Sequence, residues 1–432
     1  MLKNSSMYYH RASHPLTNII SIHTITVSLL MVTAVFGYVV SYEKLYAFHL
    51  VLATYWVLIF TANIPIKKQA IKALVAPLLF LVFMCLSLLW APNIKNGLFF
   101  IFYFLCGYTI VFSLVNFAND MHRLNLIFNT LAFFFALNIF VGLLETTGYF
   151  RLPVSPYYGL EHTRPSGFNS NINNFGFVFI VIFPFLVLHP SRFVRVIGTL
   201  IALWFTFKLE SKGFFLGLFL YVCLYFIFQI KKKTTWLWML LGVLSGLFFV
   251  LLLVVNSIEI NLTNRSFTAF EQVGRAVDLV KTGDIVAQDS TSIRAAMYIT
   301  GVQELVNTYG LGLGVAGISS KLASESNFFG DDKDIFSFHN FFLEMLVDLG
   351  IIPFIFIMFF YIKLALSNIQ ASKKVKNKKL SYFNKASGLS LLTIIPASIS
   401  PSSIIYVFTF WLVIGFSITA YLVARNHIKY AS

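Results

Sequence analysis

Of the 432 residues, 58% are hydrophobic, 49 are phenylalanine and only 11% are charged. That excludes a soluble globular domain, in which about a quarter of the residues carry charge. The net charge of +15 would suit a nucleic-acid binder, but the basic residues are sorted between long apolar runs, which makes them a signal of membrane topology and of a lipid surface.

Runs of about 20 apolar residues, enough to cross about 30 Å of hydrocarbon, recur along the chain. In order they are Ile19–Val40, Leu45–Ala62, Leu74–Trp90, Gly97–Phe117, Leu124–Glu145, Ile172–Leu188, Phe193–Leu209, Lys212–Ile230, Trp236–Asn256, Asn340–Ser367, Gly388–Ser400 and Ile404–Ala424. The expected fold is therefore an all-α polytopic membrane protein of about twelve transmembrane helices. The first run is too long for a signal-peptide core and reads as a retained span. The eleventh is short and carries Pro396 with Pro401 just beyond, so a broken or re-entrant helix is an open alternative there.

Most of the 32 Lys and Arg fall on the side of the N-terminus, including a basic loop over 368–387, whereas of the 17 acidic residues only Asp120 does. Both termini are thus expected in the cytoplasm of a multi-pass inner-membrane protein. Cys85, Cys106 and Cys223 lie inside apolar runs, so neither a disulfide framework nor a cysteine metal site is expected. The organisation that follows is a bundle over 1–256 with an outer loop at 146–171, a long extracytoplasmic loop over 257–338 between spans nine and ten, and a final bundle segment over 339–432. A loop of that length is usually functional. Within it Leu262–Val280 and Ser292–Tyr309 have helical periodicity, the second capped by Asp289 or Ser290 and stopped by Gly310.

Candidate chemistry collects on the outer side. Arg164 sits in His162-Thr163-Arg164-Pro165-Ser166-Gly167-Phe168-Asn169, a turn-rich segment before a span, and its guanidinium fork matches phosphate oxygens. Lys212 lies in the short turn Glu210-Ser211-Lys212-Gly213, although snorkelling helix ends explain such residues equally well. Arg294 near the start of a loop helix opposes the dipole preference unless it holds an anion. Gly310-Leu311-Gly312-Leu313-Gly314 lacks the setting of a nucleotide loop and reads as a helix stop with tight packing. Asp331, Asp332 and Asp334 read as a solvated acidic turn. In Ser337–Gly350, Ser337 is expected to cap a helix whose first turn holds His339 and Asn340, with Asn340, Glu344 and Asp348 in one polar stripe.

Taken together, the Arg-Pro-Ser-Gly-Phe-Asn segment, the Ser-Lys-Gly turn, the Ser-Ile-Arg segment, the Gly-Leu-Gly-Leu-Gly run and the His-Asn pair followed by Gly350 resemble the O-antigen ligase and polymerase superfamily. Two departures stand out: the family usually has Arg where this chain has Lys212, and the ligase form prefers Gly, Thr or Tyr where this chain has Pro353. The resemblance implies a metal-independent, inverting glycosyl transfer without cofactor, from a polyprenyl-diphosphate-linked glycan to a sugar hydroxyl of a second lipid-linked glycan, at the outer face of the membrane. His339 would be the general base, Arg294 and Lys212 with Arg164 would bind the diphosphate, Tyr157, Tyr158, Phe168 and Asn169 are candidates for sugar contact, and Asn340 and Glu344 for support. Implied partners are the lipid-linked donor and acceptor, the bilayer, a chain-length regulator and a flippase, and no nucleic acid. A ligase that moves finished glycan to a lipid core or protein shares these motifs. A lipid-linked oligosaccharide flippase and a non-catalytic scaffold are the remaining alternatives. The flippase is less favoured because a transporter would place its polar residues near the midplane.

Overall fold

In the computed structural model the residues described are 15–42, 45–62, 64–156, 158–159, 163–209, 211–229, 290–324, 338–401 and 403–431. Within these limits the chain is almost entirely helical. The helices are α1 (Pro15–Phe36), α2 (Ala47–Thr61), α3 (Lys68–Ser87), α4 (Ile94–Phe117), α5 (Met121–Glu145), α6 (Ile172–Val187), α7 (Arg192–Leu209), α8 (Lys212–Gln229), α9 (Ser290–Asn307), α10 (Gly317–Ser324), α11 (Phe341–Leu349), α12 (Ile351–Lys374), α13 (Lys378–Ala397) and α14 (Phe408–Ala431). A two-residue hairpin, β1 (Ser41–Tyr42) against β2 (Leu45–Tyr46), links α1 to α2.

Six of these helices are long and apolar enough to cross a membrane, and α2, α6 and most of α8 are shorter apolar helices. Eleven of the expected runs coincide with helical segments here. The ninth, Trp236–Asn256, lies outside the described residues, as do Leu262–Val280 and the aspartates at 331, 332 and 334. Two runs differ in detail. The tenth is divided at Gly350 into the short α11 and the membrane-length α12, because Gly350 adopts φ 85° between them. The eleventh is an unbroken 20-residue helix, α13, with Pro396 in its last turn. Its break comes after the helix rather than within it.

The bundle is held by a continuous apolar core and by polar ties that sort to its two ends. At one end Lys67 Nζ donates to the Phe117 carbonyl at 2.9 Å, Arg123 Nη1 to the same carbonyl at 3.0 Å, and Ser381 Oγ to the Ser372 carbonyl at 2.6 Å. At the other end Trp204 Nε1 donates to Thr146 Oγ1 at 3.1 Å, Asn96 Nδ2 to Ser320 Oγ at 3.1 Å, and the backbone N–H of Val315 to Ser87 Oγ at 3.1 Å. Among the described residues, those the sequence predicts to lie outside are gathered at this second end.

There α9, α10 and α11 build a small core of their own from Ala296, Met297, Ile318, Leu322, Phe338 and Val347. The glycine run locks this cap onto the bundle. Leu313 N–H donates to the Val347 carbonyl at 3.0 Å, Gly314 N–H to the Asp348 carbonyl at 2.8 Å, and Ile351 N–H to the Gly310 carbonyl at 2.9 Å. Gly312 has φ 82°, and a Cβ there would lie 2.5 Å from the Asp348 carbonyl oxygen and from the Gly350 nitrogen. Replacing it strains the backbone by roughly 1–2 kcal/mol before any clash is counted. Gly312→Ala is therefore expected to lower the Tm of the purified protein by several degrees, and a wild-type melting curve would show that this close approach is not needed.

Candidate active site at one end of the bundle

His339 does not occupy the first turn of a helix. Asn340 is the N-cap of α11, its Oδ1 accepting from Leu343 N–H at 3.2 Å, so the helix begins after the His-Asn pair. Ser337 lies outside the described residues. His339 instead has φ 51°, a left-handed conformation rare for a side-chain-bearing residue, and such strain persists only where surrounding contacts impose it. Those contacts are specific. Tyr298 Oη, from α9, donates to the His339 carbonyl at 3.1 Å. The imidazole hydrogen-bonds to the backbone of Ser400 and Pro401, in the irregular stretch between α13 and α14. Burial, and then the Arg294 guanidinium nearby, push the imidazole pKa down to about 4, against the smaller upward pull of those two hydrogen bonds. The ring is neutral at pH 7.

Arg294 stands in the second turn of α9, half-buried, one turn before Tyr298. Burial lowers its pKa and Tyr298 raises it again, but a guanidinium stays charged at any physiological pH. A cation held there beside a neutral imidazole is thus a feature of the described geometry.

The same α13–α14 stretch reaches the Ser-Lys-Gly turn. Gly213 N–H, at the start of α8, donates to Ser400 Oγ at 2.6 Å, and a Cβ at Gly213 would run into the Ala397 carbonyl and Ser400. Lys212 opens α8 immediately before this contact. Ser400 therefore ties the Lys212 turn by its side chain and His339 by its backbone.

Arg164 is held in a separate clamp. Glu145, fully buried at the end of α5, accepts from the N–H groups of Ser166 and Gly167 (2.7 Å for Gly167) and from Ser166 Oγ at 3.0 Å. Asn138, two turns earlier on α5, accepts from Phe168 N–H at 2.7 Å. Arg151 approaches Glu145 at 3.8 Å and donates to the Arg164 carbonyl at 2.9 Å. These ties fix the Arg164 segment on α5. The sequence reading missed Asn138, Glu145 and Arg151, although two polar residues seven apart on an apolar helix share a face and signal a buried polar contact.

Among the residues considered for sugar contact, Tyr158 is exposed, and Asn169 is half-buried in a turn whose Nδ2 donates to the Ser166 carbonyl at 3.3 Å. Phe168 is buried with its ring 4.7 Å from that of Phe36, which leaves no open face for a sugar. Tyr157 and His162 lie outside the described residues. The polar stripe on α11 is turned inward: Asp348 accepts from Ile318 N–H at 2.7 Å and so caps α10, while Glu344 accepts from Ser319 Oγ at 3.4 Å. Both carboxylates join the cap to α11, a structural role.

A neutral histidine, a half-buried arginine and a lysine-bearing helix start thus lie at one end of a multi-pass helical bundle. Residues 197–358, which span α7, α8, the cap and the start of α12, match the family described as O-antigen ligase. The chain is also similar to the teichuronic acid biosynthesis protein TuaE of Bacillus subtilis, 23% identical over 361 residues, 79% of this chain and 69% of that one. Both matches support the O-antigen ligase and polymerase superfamily and, in general terms, a polysaccharide polymerase or ligase function.

Two outcomes follow for the site. Ser400→Ala removes the hydrogen bond to Gly213 and is expected to cut kcat by about tenfold, the effect of roughly 1.4 kcal/mol, with little change in melting temperature; an unchanged kcat would separate the Lys212 turn from His339. Because His339 gains its proton only near pH 4, the acid limb of kcat/KM belongs well below pH 6, whereas an ordinary histidine would lose activity from about pH 6.5 downwards.

Proposed function

We propose that this protein polymerises lipid-linked glycan repeat units, transferring a glycan from a polyprenyl diphosphate to a sugar hydroxyl of a second lipid-linked glycan at the outer face of the cytoplasmic membrane. The observation that carries this reading is the neutral His339 beside the Arg294 cation, with the Lys212 turn tied to the same backbone stretch.

The roles follow from the chemistry. A neutral imidazole carries one ring nitrogen with a free lone pair, which His339 offers to the acceptor hydroxyl. His339 takes that proton as the hydroxyl oxygen attacks the anomeric carbon from the face opposite the diphosphate. The bond between carbon and phosphate oxygen breaks and the diphosphate leaves with the electron pair, which inverts the configuration. Negative charge grows on the leaving group as positive charge grows on the imidazole. Arg294 and Lys212, with Arg164 from the α5 clamp, stabilise the former, taking the place of a divalent ion. Proton removal of this kind accounts for about 10²–10⁴-fold in rate, and each well-placed cation for roughly 10²-fold or more.

The matched family, described as O-antigen ligase, favours a second reading, a ligase that moves finished glycan onto another carrier, whereas the similar protein's name speaks only of teichuronic acid biosynthesis. Loss-of-function variants distinguish them. His339→Asn keeps a residue that tolerates the left-handed backbone and removes the base. In cells lacking the native gene, His339→Asn and Arg294→Gln are expected to accumulate single repeat units on the carrier. Accumulation of long polymer on the carrier would establish the ligase instead. Normal polysaccharide from either membrane-inserted variant would remove that residue from the mechanism.

A further inference from the structure

At the end of the bundle opposite His339, a crevice opens between α3, α12 and α14, with a cavity of about 340 Å³. Its walls are apolar and aromatic, among them Phe80, Phe104 and Phe410, and it runs from Lys72, Lys363 and Arg425 at one end to Phe341 and Met345 of α11 at the other. Among the described residues its lining contains three cations and no carboxylate. All three cations are exposed, and none pairs with an acidic side chain among the described residues.

This combination matches one chemistry. Cations grouped at the mouth of a groove between membrane helices attract an anionic headgroup, at roughly 1 kcal/mol per charge near the surface, and an apolar groove behind them takes hydrocarbon. From Arg425 back to Phe410 along α14, fifteen residues of helix cover about 22 Å, more than the roughly 15 Å depth of one leaflet's hydrocarbon. A full acyl chain therefore fits lengthwise. α12 is the least buried of the six candidate spans.

We propose that this crevice is a binding site for an anionic phospholipid of the adjacent leaflet, its headgroup held by Lys72, Lys363 and Arg425 and an acyl chain lying between α3, α12 and α14. The lipid closes a gap in the bundle and supports α11 from below.

The test uses the full chain purified in neutral detergent and followed by thermal melting, because a ligand that binds only the folded state raises Tm. Phosphatidylglycerol is expected to raise Tm by several degrees, phosphatidylcholine of the same chains and inorganic phosphate to do so little or not at all. Combined Lys72→Gln, Lys363→Gln and Arg425→Gln substitution is expected to abolish the difference. Ala76→Trp, which fills the groove and leaves every charge in place, is expected to abolish it too and keeps the test valid should the triple variant not fold. An equal response to phosphatidylcholine, a response that persists in Ala76→Trp, or a response to polyprenyl phosphate but not to phosphatidylglycerol would each overturn the proposal.

Discussion

Backbone that leaves a helix inside a membrane protein must find hydrogen-bond partners within the protein, because no water is there to supply them. Between α13 and α14 the partners are the site itself. The Ser400 hydroxyl accepts from the first turn of α8, and the backbone of Ser400 and Pro401 hydrogen-bonds to His339. One irregular stretch thus satisfies its own polar groups by gripping two elements more than a hundred residues apart in the chain. The left-handed backbone at His339 is the strain this arrangement imposes, and the Tyr298 hydroxyl on the His339 carbonyl is what holds it. Take away the break after α13 and neither the imidazole nor the Lys212 turn has a fixed position.

The same rule governs the other two polar features at this end. Glu145 satisfies two backbone N–H groups and a hydroxyl of the Arg164 segment, and Arg151 offsets its charge. Asp348 caps α10 from within the cap core, where an uncapped helix start would leave buried donors unpaired. Glu145 and Asp348 each serve as acceptors for backbone N–H groups. The glycine run completes the set by letting backbone approach backbone where no side chain fits.

Much of this was legible in the sequence, for reasons that are physical. Spans announce themselves through length and hydropathy, so helix positions along most of the chain could be read directly, and the glycine run read correctly as a stop with tight packing. That the Arg164, Lys212, Arg294 and His339 segments share one end of the bundle followed from alternation of sides. Other features were not legible. The cap of α11 falls on Asn340, not Ser337, because a left-handed turn at His339 delays the helix, and no local preference forecasts that turn. Phe168 looked available to a sugar because neighbouring residues are polar, yet its segment is folded onto α5 by Asn138 and it packs against Phe36. Ser400 was invisible for a related reason: its importance lies in contacts to residues 187 positions away.

The central claim is that His339 removes the acceptor proton while the cations around it bind the donor. Purified protein, given a polyprenyl-diphosphate glycan and an acceptor in detergent, measures both steps at once through donor affinity and single-turnover formation of the glycosidic bond. The account predicts that His339→Asn binds the donor about as tightly as wild type but forms bonds at least about 10²-fold more slowly. Bond formation at the wild-type rate by His339→Asn would contradict it.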